Sequence, residues 1–280
     1  MTELNKIYNE DCFITMERFS QNSADVILTS PFYNTNRKQG KSAVIKETAY
    51  KEYEKCPYIR YDKHVDNMTN NEYCGFTKTL FLKFDRILRK NGVVLYNLSY
   101  GNNNREGMFR AVNTVITETP FTIADVIVWK KKSAYPNCCS PNKLTRIWEF
   151  IFVFCRKAET ETFHCNKAVT SIRATGQKNY ENIFNYIEAK NNDGVCPYNR
   201  STFSTDLVKQ LLNIYLPKDR ESIVYDPFMG SGTTAAACKQ FENCRYIGSE
   251  ISENQVKWAE ERLNRFETNI NETVNQKSII

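Results

Sequence analysis

Two stretches of the 280-residue chain hold side chains of types and spacing suited to chemistry. The first is Thr29-Ser30-Pro31-Phe32-Tyr33-Asn34, directly after the apolar run 24–29. A hydroxyl, a free carbonyl and two aromatic rings thus meet at the carboxyl end of an expected strand, where open α/β sheets bind ligands. Ser-Pro is equally a common turn opener, so this stretch alone does not decide between a site and a turn. The second is Asp226-Pro227-Phe228-Met229-Gly230-Ser231-Gly232-Thr233-Thr234, between another strand pattern and a helical one. Glycines there permit positive φ and close approach of backbone to a ligand, and a helix start offers unpaired N–H groups. Gly232 is followed by Thr233 and not Lys, which excludes a P-loop. Ala235 stands where a dinucleotide fingerprint needs its third glycine. Glu250 follows the short apolar run 245–248 and is placed to accept hydrogen bonds from ribose hydroxyls. Taken singly, it reads as an exposed loop carboxylate.

The elements that must position these residues are legible as alternating patterns. Apolar runs at 24–29, 92–98, 123–129, 149–154, 222–226 and 245–248 predict strands covered on both faces. Between them, helical spacing predicts helices over 72–88, 206–215 and 255–266, with a short one at 235–240. The alternation indicates an α/β fold with a mainly parallel sheet and helices on both faces. Segments 38–71 and 159–201 are polar and weakly periodic, and predict insertions at the active edge.

Composition narrows the class. Hydrophobic residues make up 41% of the chain, with 17 Phe and 16 Tyr, enough for one large core and unlike a disordered chain. The net charge of +6 permits a polyanionic partner without demanding one. The first residues contain no apolar signal segment and no run reaches membrane-spanning length, so an intracellular chain with reduced thiols and no membrane is expected. The ten cysteines include no CxxC pair, and His64 and His164 are the only histidines. No metal site is expected from such spacing.

The ordered set of motifs resembles the amino-methyltransferases that modify adenine N6 or cytosine N4 in DNA. Ser30-Pro31-Phe32-Tyr33 resembles their (Asp/Asn/Ser)-Pro-Pro-(Tyr/Phe) catalytic motif. Asp226 to Gly232 resembles their Asp-Pro-Phe-x-Gly-Ser-Gly cofactor loop, and Glu10-Asp11-Cys12 their Gly-Asp-Cys segment. Trp129-Lys130, Pro136, Arg146 and Glu149-Phe150-Ile151 resemble a further block. The catalytic motif precedes the cofactor loop, as in the circularly permuted β class. Phe32 departs from the usual second proline, and Glu10 from the usual glycine.

The resemblance implies a single Rossmann-like methyltransferase domain over 1–280 with a seven-stranded, mostly parallel sheet. It implies S-adenosyl-L-methionine as cofactor, held by Asp11, Cys12, Asp226, Pro227, Phe228, Gly230, Ser231, Gly232, Thr233 and Glu250. Ser30, Pro31, Phe32 and Tyr33 are implied as catalytic. Ser30 Oγ and the Pro31 carbonyl would accept from the amine of a flipped base and stabilise developing positive charge. Tyr33 would stack on that base, with the Phe32 ring packed beside it. Double-stranded DNA is the implied partner, through Arg37, Lys38, Lys41, Lys130, Lys131, Lys132, Lys143 and Arg146. Target recognition is assigned to 159–201, with a share for 38–71. A cognate restriction endonuclease and a homodimer are further implied possibilities. A serine-headed motif leans towards cytosine N4, with adenine N6 the alternative. Methylation of RNA or protein, and a non-catalytic nucleic-acid-binding module, are the remoter readings.

Overall fold

The computed structural model describes residues 2–35 and 66–277, apart from 102, 135, 139, 195 and 200 and the side chains beyond 265. Its centre is an eight-stranded sheet. In chain order the strands are β1 (Lys6–Tyr8), β2 (Ala24–Thr29), β3 (Leu88–Leu98), β4 (Phe121–Lys131), β5 (Trp148–Arg156), β8 (Tyr186–Ala189), β9 (Ser222–Asp226) and β10 (Cys244–Ser249). A separate exposed hairpin holds β6 (Val169–Ile172) and β7 (Lys178–Tyr180). The spatial order is β1-β10-β9-β2-β3-β5-β4-β8. Only β5 runs against its neighbours; all other pairings in the sheet are parallel. The sheet is one strand wider than the expected seven. The three-residue β1 and four-residue β8 sit at its two edges, where so short a strand carries little apolar signal.

Each expected strand forms, because both of its faces are covered. Helices α1 (Cys12–Arg18), α2 (Asn70–Ile87) and α3 (Gly107–Glu118) pack one face, with Met16, Leu80, Phe81, Phe84, Met108 and Val115 against Ile27, Val94 and Tyr96. Helices α4 (Thr205–Tyr215), α5 (Thr233–Cys238) and α6 (Glu253–Lys277) pack the other, with Leu207, Leu211, Ala236 and Ala259 against Val26, Val93 and Val224. Alternate residues of β2 and β3 therefore enter opposite cores, as a period of two requires. Helix starts are marked by side chains: Thr69 and Glu72 form a reciprocal capping box at α2, and Ser204 accepts from Leu207 N at α4. No helix among the described residues is long and apolar enough to cross a membrane.

The parallel strands point their carboxyl ends to one edge. β2 ends there at Thr29, β9 at Asp226 and β10 at Ser249. β5 runs the other way, so it is its start, at Trp148 and Glu149, that reaches the same edge.

Candidate active site

The turn after β2 is held from three sides. Asn34 ends it with φ of 49°, a left-handed conformation that asparagine tolerates. Its Nδ2 donates to Met68 O at 2.9 Å, and its own carbonyl accepts from Asn104 Nδ2 at 2.8 Å. Tyr73 OH donates to Phe32 O at 2.8 Å. Phe32, expected beside the base, is instead buried. Its ring lies 5.5 Å from Tyr73, 5.1 Å from Phe76 and 6.4 Å from Phe228 between centroids. Where proline would stiffen the turn by fixing φ, Phe32 fixes it by burial in an aromatic cluster.

Tyr33 is a hub. Its hydroxyl lies 3.0 Å from Ser30 Oγ, 2.7 Å from Asn97 Oδ1 and 2.9 Å from Glu149 Oε2. Asn97, on β3, donates its own Nδ2 to Phe150 O at 3.0 Å, which fixes its carbonyl towards Tyr33. Glu149 is ion-paired with Lys131 from β4. Sequence reasoning places Tyr33 by its ring and does not see where its hydroxyl goes. Asn97, Glu149 and Lys131 lie on three different strands.

The loop 226–232, expected to hold the cofactor, is joined to this turn from beneath. Thr29 Oγ1 donates to Asp226 Oδ1, which also accepts from Phe228 N; Thr234 Oγ1 donates to Asp226 Oδ2 at 2.5 Å. Burial raises the Asp226 carboxyl to about 6, against the pull of those three donors. Asp226 is 1% exposed, so it shapes the loop from inside. Gly230 and Gly232 adopt φ of 54° and 77°. A Cβ at Gly232 would lie 2.7 Å from Ala259 Cβ, and one at Gly230 would lie 3.1 Å from Asn199 Nδ2. Arg262 of α6 donates to Ser231 O and to Thr233 Oγ1, and pairs with Asp193.

The remaining residues expected at the cofactor gather around the same loop. Glu250 accepts from Gly230 N through Oε2 and from Ser252 N through Oε1, both at 2.9 Å. Its backbone binds Tyr8 O, and its carbonyl accepts from Asn9 Nδ2. That draws Asp11 and Cys12, at the start of α1, over the end of β10. Asp11 caps α1 through Phe13 N, and Cys12 O accepts from Tyr225 OH. Burial pushes the Cys12 thiol well up, so it stays a neutral thiol. The residues fit a nucleoside-bearing ligand. The loop keeps open backbone at two left-handed glycines, the acid lies beside it, and the buried Gln255 Oε1 nearby has no hydrogen-bond partner. Gln255, Asn199 and Arg262 carry no motif signal in the sequence.

A family model described as DNA methylase, for N6- and N4-methyltransferases, matches residues 24–261. The chain belongs to this N6/N4 DNA methylase family. Over 280 aligned residues it is 24% identical to the Type II methyltransferase M.HinfI of Haemophilus influenzae, covering 96% of this chain and 71% of that one. The fold is similar to that of PvuII DNA methyltransferase (cytosine-N4-specific), with a TM-score of 0.66 at 17% identity over 92% of this chain and 86% of that one. It is also similar to the M1.HpyAVI–SAM complex, with a TM-score of 0.55 at 20% identity over 92% and 98%. As an N6/N4 DNA methylase, the chain is an enzyme that moves a methyl group from S-adenosylmethionine to an amino group of DNA.

The basic residues of the methylase divide. Lys130 is ion-paired with Glu188 at 3.1 Å, Lys131 with Glu149, and Arg146 donates to Tyr100 O while lying 4.9 Å over the Tyr100 ring. Lys132 is exposed and Lys143 half-buried, both in the β4–β5 loop. Arg37, Lys38 and Lys41, with most of segment 38–71, lie outside the described residues. Segment 159–201 is split along the sheet. His164 N binds Asn91 O and Asn166 N binds Ile214 O, at the end of the sheet opposite Ser30. After β8 the chain returns to the carboxyl edge, where Asn191 binds Ser133 and Asp193 pairs with Arg262.

Proposed function

We propose that the chain methylates the N4 amine of cytosine flipped out of duplex DNA. The observation that carries this reading is Ser30, and not a carboxylate, at the head of the catalytic turn, with its hydroxyl 3.0 Å from Tyr33. Ser30 Oγ and the Pro31 carbonyl accept from the amine, whose lone pair is otherwise delocalised into the ring. The Tyr33 ring stacks on the base while its hydroxyl stays anchored to β3 and β5. Asp11, Cys12, Gly230, Ser231 and Glu250 hold the cofactor. Asp226, Pro227, Phe228, Gly232 and Thr233 shape its loop. The bound cofactor supplies an electrophilic methyl group; the chain supplies orientation and charge stabilisation.

For DNA, phosphate contact is assigned to Lys132 and Lys143, and on sequence alone to Arg37, Lys38 and Lys41. Target recognition is assigned to 190–201 within the longer polar segment, because Asn191 and Asp193 lie at the carboxyl edge, and to 38–71. By likeness to a relative named as a Type II methyltransferase, the chain acts inside the cell as the modification partner of a cognate endonuclease. The test is transfer of labelled methyl from S-adenosylmethionine to duplex DNA, followed by nucleoside analysis. Label in N4-methylcytosine is expected. Label in N6-methyladenine overturns the base assignment, and no label in DNA overturns the reading as a whole.

A further inference from the structure

We propose that Glu149, held by Lys131, is a positioning residue that acts through Tyr33 to fix Ser30 as a hydrogen-bond acceptor and to take up the proton that the amine releases. This rests on the reading of Ser30 as the group that meets the amine.

The argument is one of counting donors. The Tyr33 hydroxyl has a single hydrogen. Asn97 Oδ1 at 2.7 Å and Glu149 Oε2 at 2.9 Å are both acceptors, so that hydrogen is drawn to them. Asn97 cannot turn its amide without losing the bond from Nδ2 to Phe150 O. The other oxygen of Glu149, Oε1, is ion-paired with the Lys131 ammonium, which leaves Oε2 turned to the hub. The contact between Ser30 Oγ and Tyr33 OH at 3.0 Å therefore runs one way: Ser30 donates and Tyr33 accepts. Ser30 has spent its only hydrogen, and it turns lone pairs alone towards the ligand. A group arriving at Ser30 must bring an N–H or O–H. An exocyclic amine does so; the carbonyl oxygen at the same position of a uracil or thymine ring does not, and would face an unpaired lone pair.

The same chain gives the proton a route. As the amine nitrogen takes on a fourth bond, one of its protons passes to Ser30 Oγ. The Ser30 proton passes to Tyr33, and the Tyr33 proton to Glu149 Oε2. Three bonds to hydrogen break and three form; the cationic amine and the carboxylate both end neutral. The Glu149 side chain is 14% exposed and Lys131 24%, so the acid can return its proton to solvent at the edge of the sheet.

The test is a double-mutant cycle on single-turnover methylation of duplex DNA, with cofactor affinity measured by calorimetry on the same preparations. Tyr33→Phe keeps the ring and removes only the hydroxyl. Glu149→Gln keeps the shape and removes the charge. Each is expected to slow the methyl-transfer step by about 100-fold, the low end of general acid–base contributions, with cofactor affinity changed less than twofold. The double variant is expected to be no slower than the slower single, because both changes break one chain. Ser30→Ala is run beside them. If Ser30→Ala slows the step while Glu149→Gln or Tyr33→Phe does not, or if the two add, the network assignment is wrong and the reading of Ser30 stands. If Ser30→Ala leaves the step unchanged, both fall.

Discussion

Thr29 and Asp226, 197 residues apart in the chain, share a buried hydrogen bond of 2.8 Å. It ties the strand that ends in the turn of Ser30 to Tyr33 to the strand that ends in the loop of Gly230 and Gly232. Thr29→Val keeps the volume and removes the donor, leaving a buried carboxylate oxygen one partner short. Loss of about 1–3 kcal/mol is expected, measured by urea unfolding, with a larger loss of cofactor affinity than Thr29→Ser produces. Equal stability in Thr29→Val and the parent would mean that the bond does not hold the two motifs together.

Asp226 gives stability a defined pH dependence. Its folded carboxyl is raised from 3.8 to about 6. A raised folded value means that the folded state holds the proton more tightly. The contribution is complete below about 3.8, is lost as pH rises towards 6, and is then level. The difference is on the order of 3 kcal/mol. Asp226→Asn accepts the same donors through its oxygen and can donate to Thr234, so it removes this dependence. Its stability relative to the parent should rise between pH 4 and 6 and stay flat above. A constant difference across that range in urea titrations would refute the assignment.

Gly230 and Gly232 bear different costs. Gly230→Val places a branched side chain against Asn199 and Gln255 at a positive φ, and should abolish cofactor binding in calorimetry. Gly232→Ala drives a Cβ to within 2.7 Å of Ala259, so it should destabilise the fold as well by loosening α5 from α6. Parent-like cofactor affinity in Gly230→Val would displace the ligand from this loop.

Lys132 and Lys131 are neighbours with opposite expected roles. Lys132 is exposed; Lys131 is paired with Glu149. Lys132→Ala should reduce the salt slope of DNA binding by about 1 through counterion release. Lys131→Ala should leave that slope alone and slow turnover. Dissociation constants over a salt series separate the two; a reversed pattern would move the phosphate contact to Lys131.

Phe32→Ala opens the cluster of Tyr73, Phe76 and Phe228. Loss of about 3–5 kcal/mol is expected for removing a buried phenylalanine, seen as a lowered unfolding midpoint. A ring that served the base and not the fold would lose activity with no change in that midpoint.

Much of this architecture is legible in the residues. The strands around Ile27, Val94, Val153 and Val224 read clearly because both of their faces are buried and the apolar run is unbroken. α3 is equally readable from Met108, Ala111, Val112 and Val115, whose spacing is helical, although it is not among the helices expected above. β1 and β8 are too short, and β6 and β7 too exposed, to print a pattern. At the site, Gly230, Gly232 and Glu250 were legible as a cluster because they lie within one strand–helix–strand unit. The hub at Tyr33 was not: Asn97, Lys131 and Glu149 converge only once β3, β5 and β4 lie side by side.

The reversed direction of β5 has a consequence for how such an enzyme changes over time. The chain between Lys131 and Trp148 leaves and re-enters the sheet at one edge, and Lys131 N bonds Ile147 O at its base. Both feet stand on the same doorstep. Residues 132–146, above that pair, can lengthen, shorten or be exchanged with another such segment without shifting a strand register, so new contacts above the pocket can be tried while Glu149 and Lys131, at the feet, stay where they are.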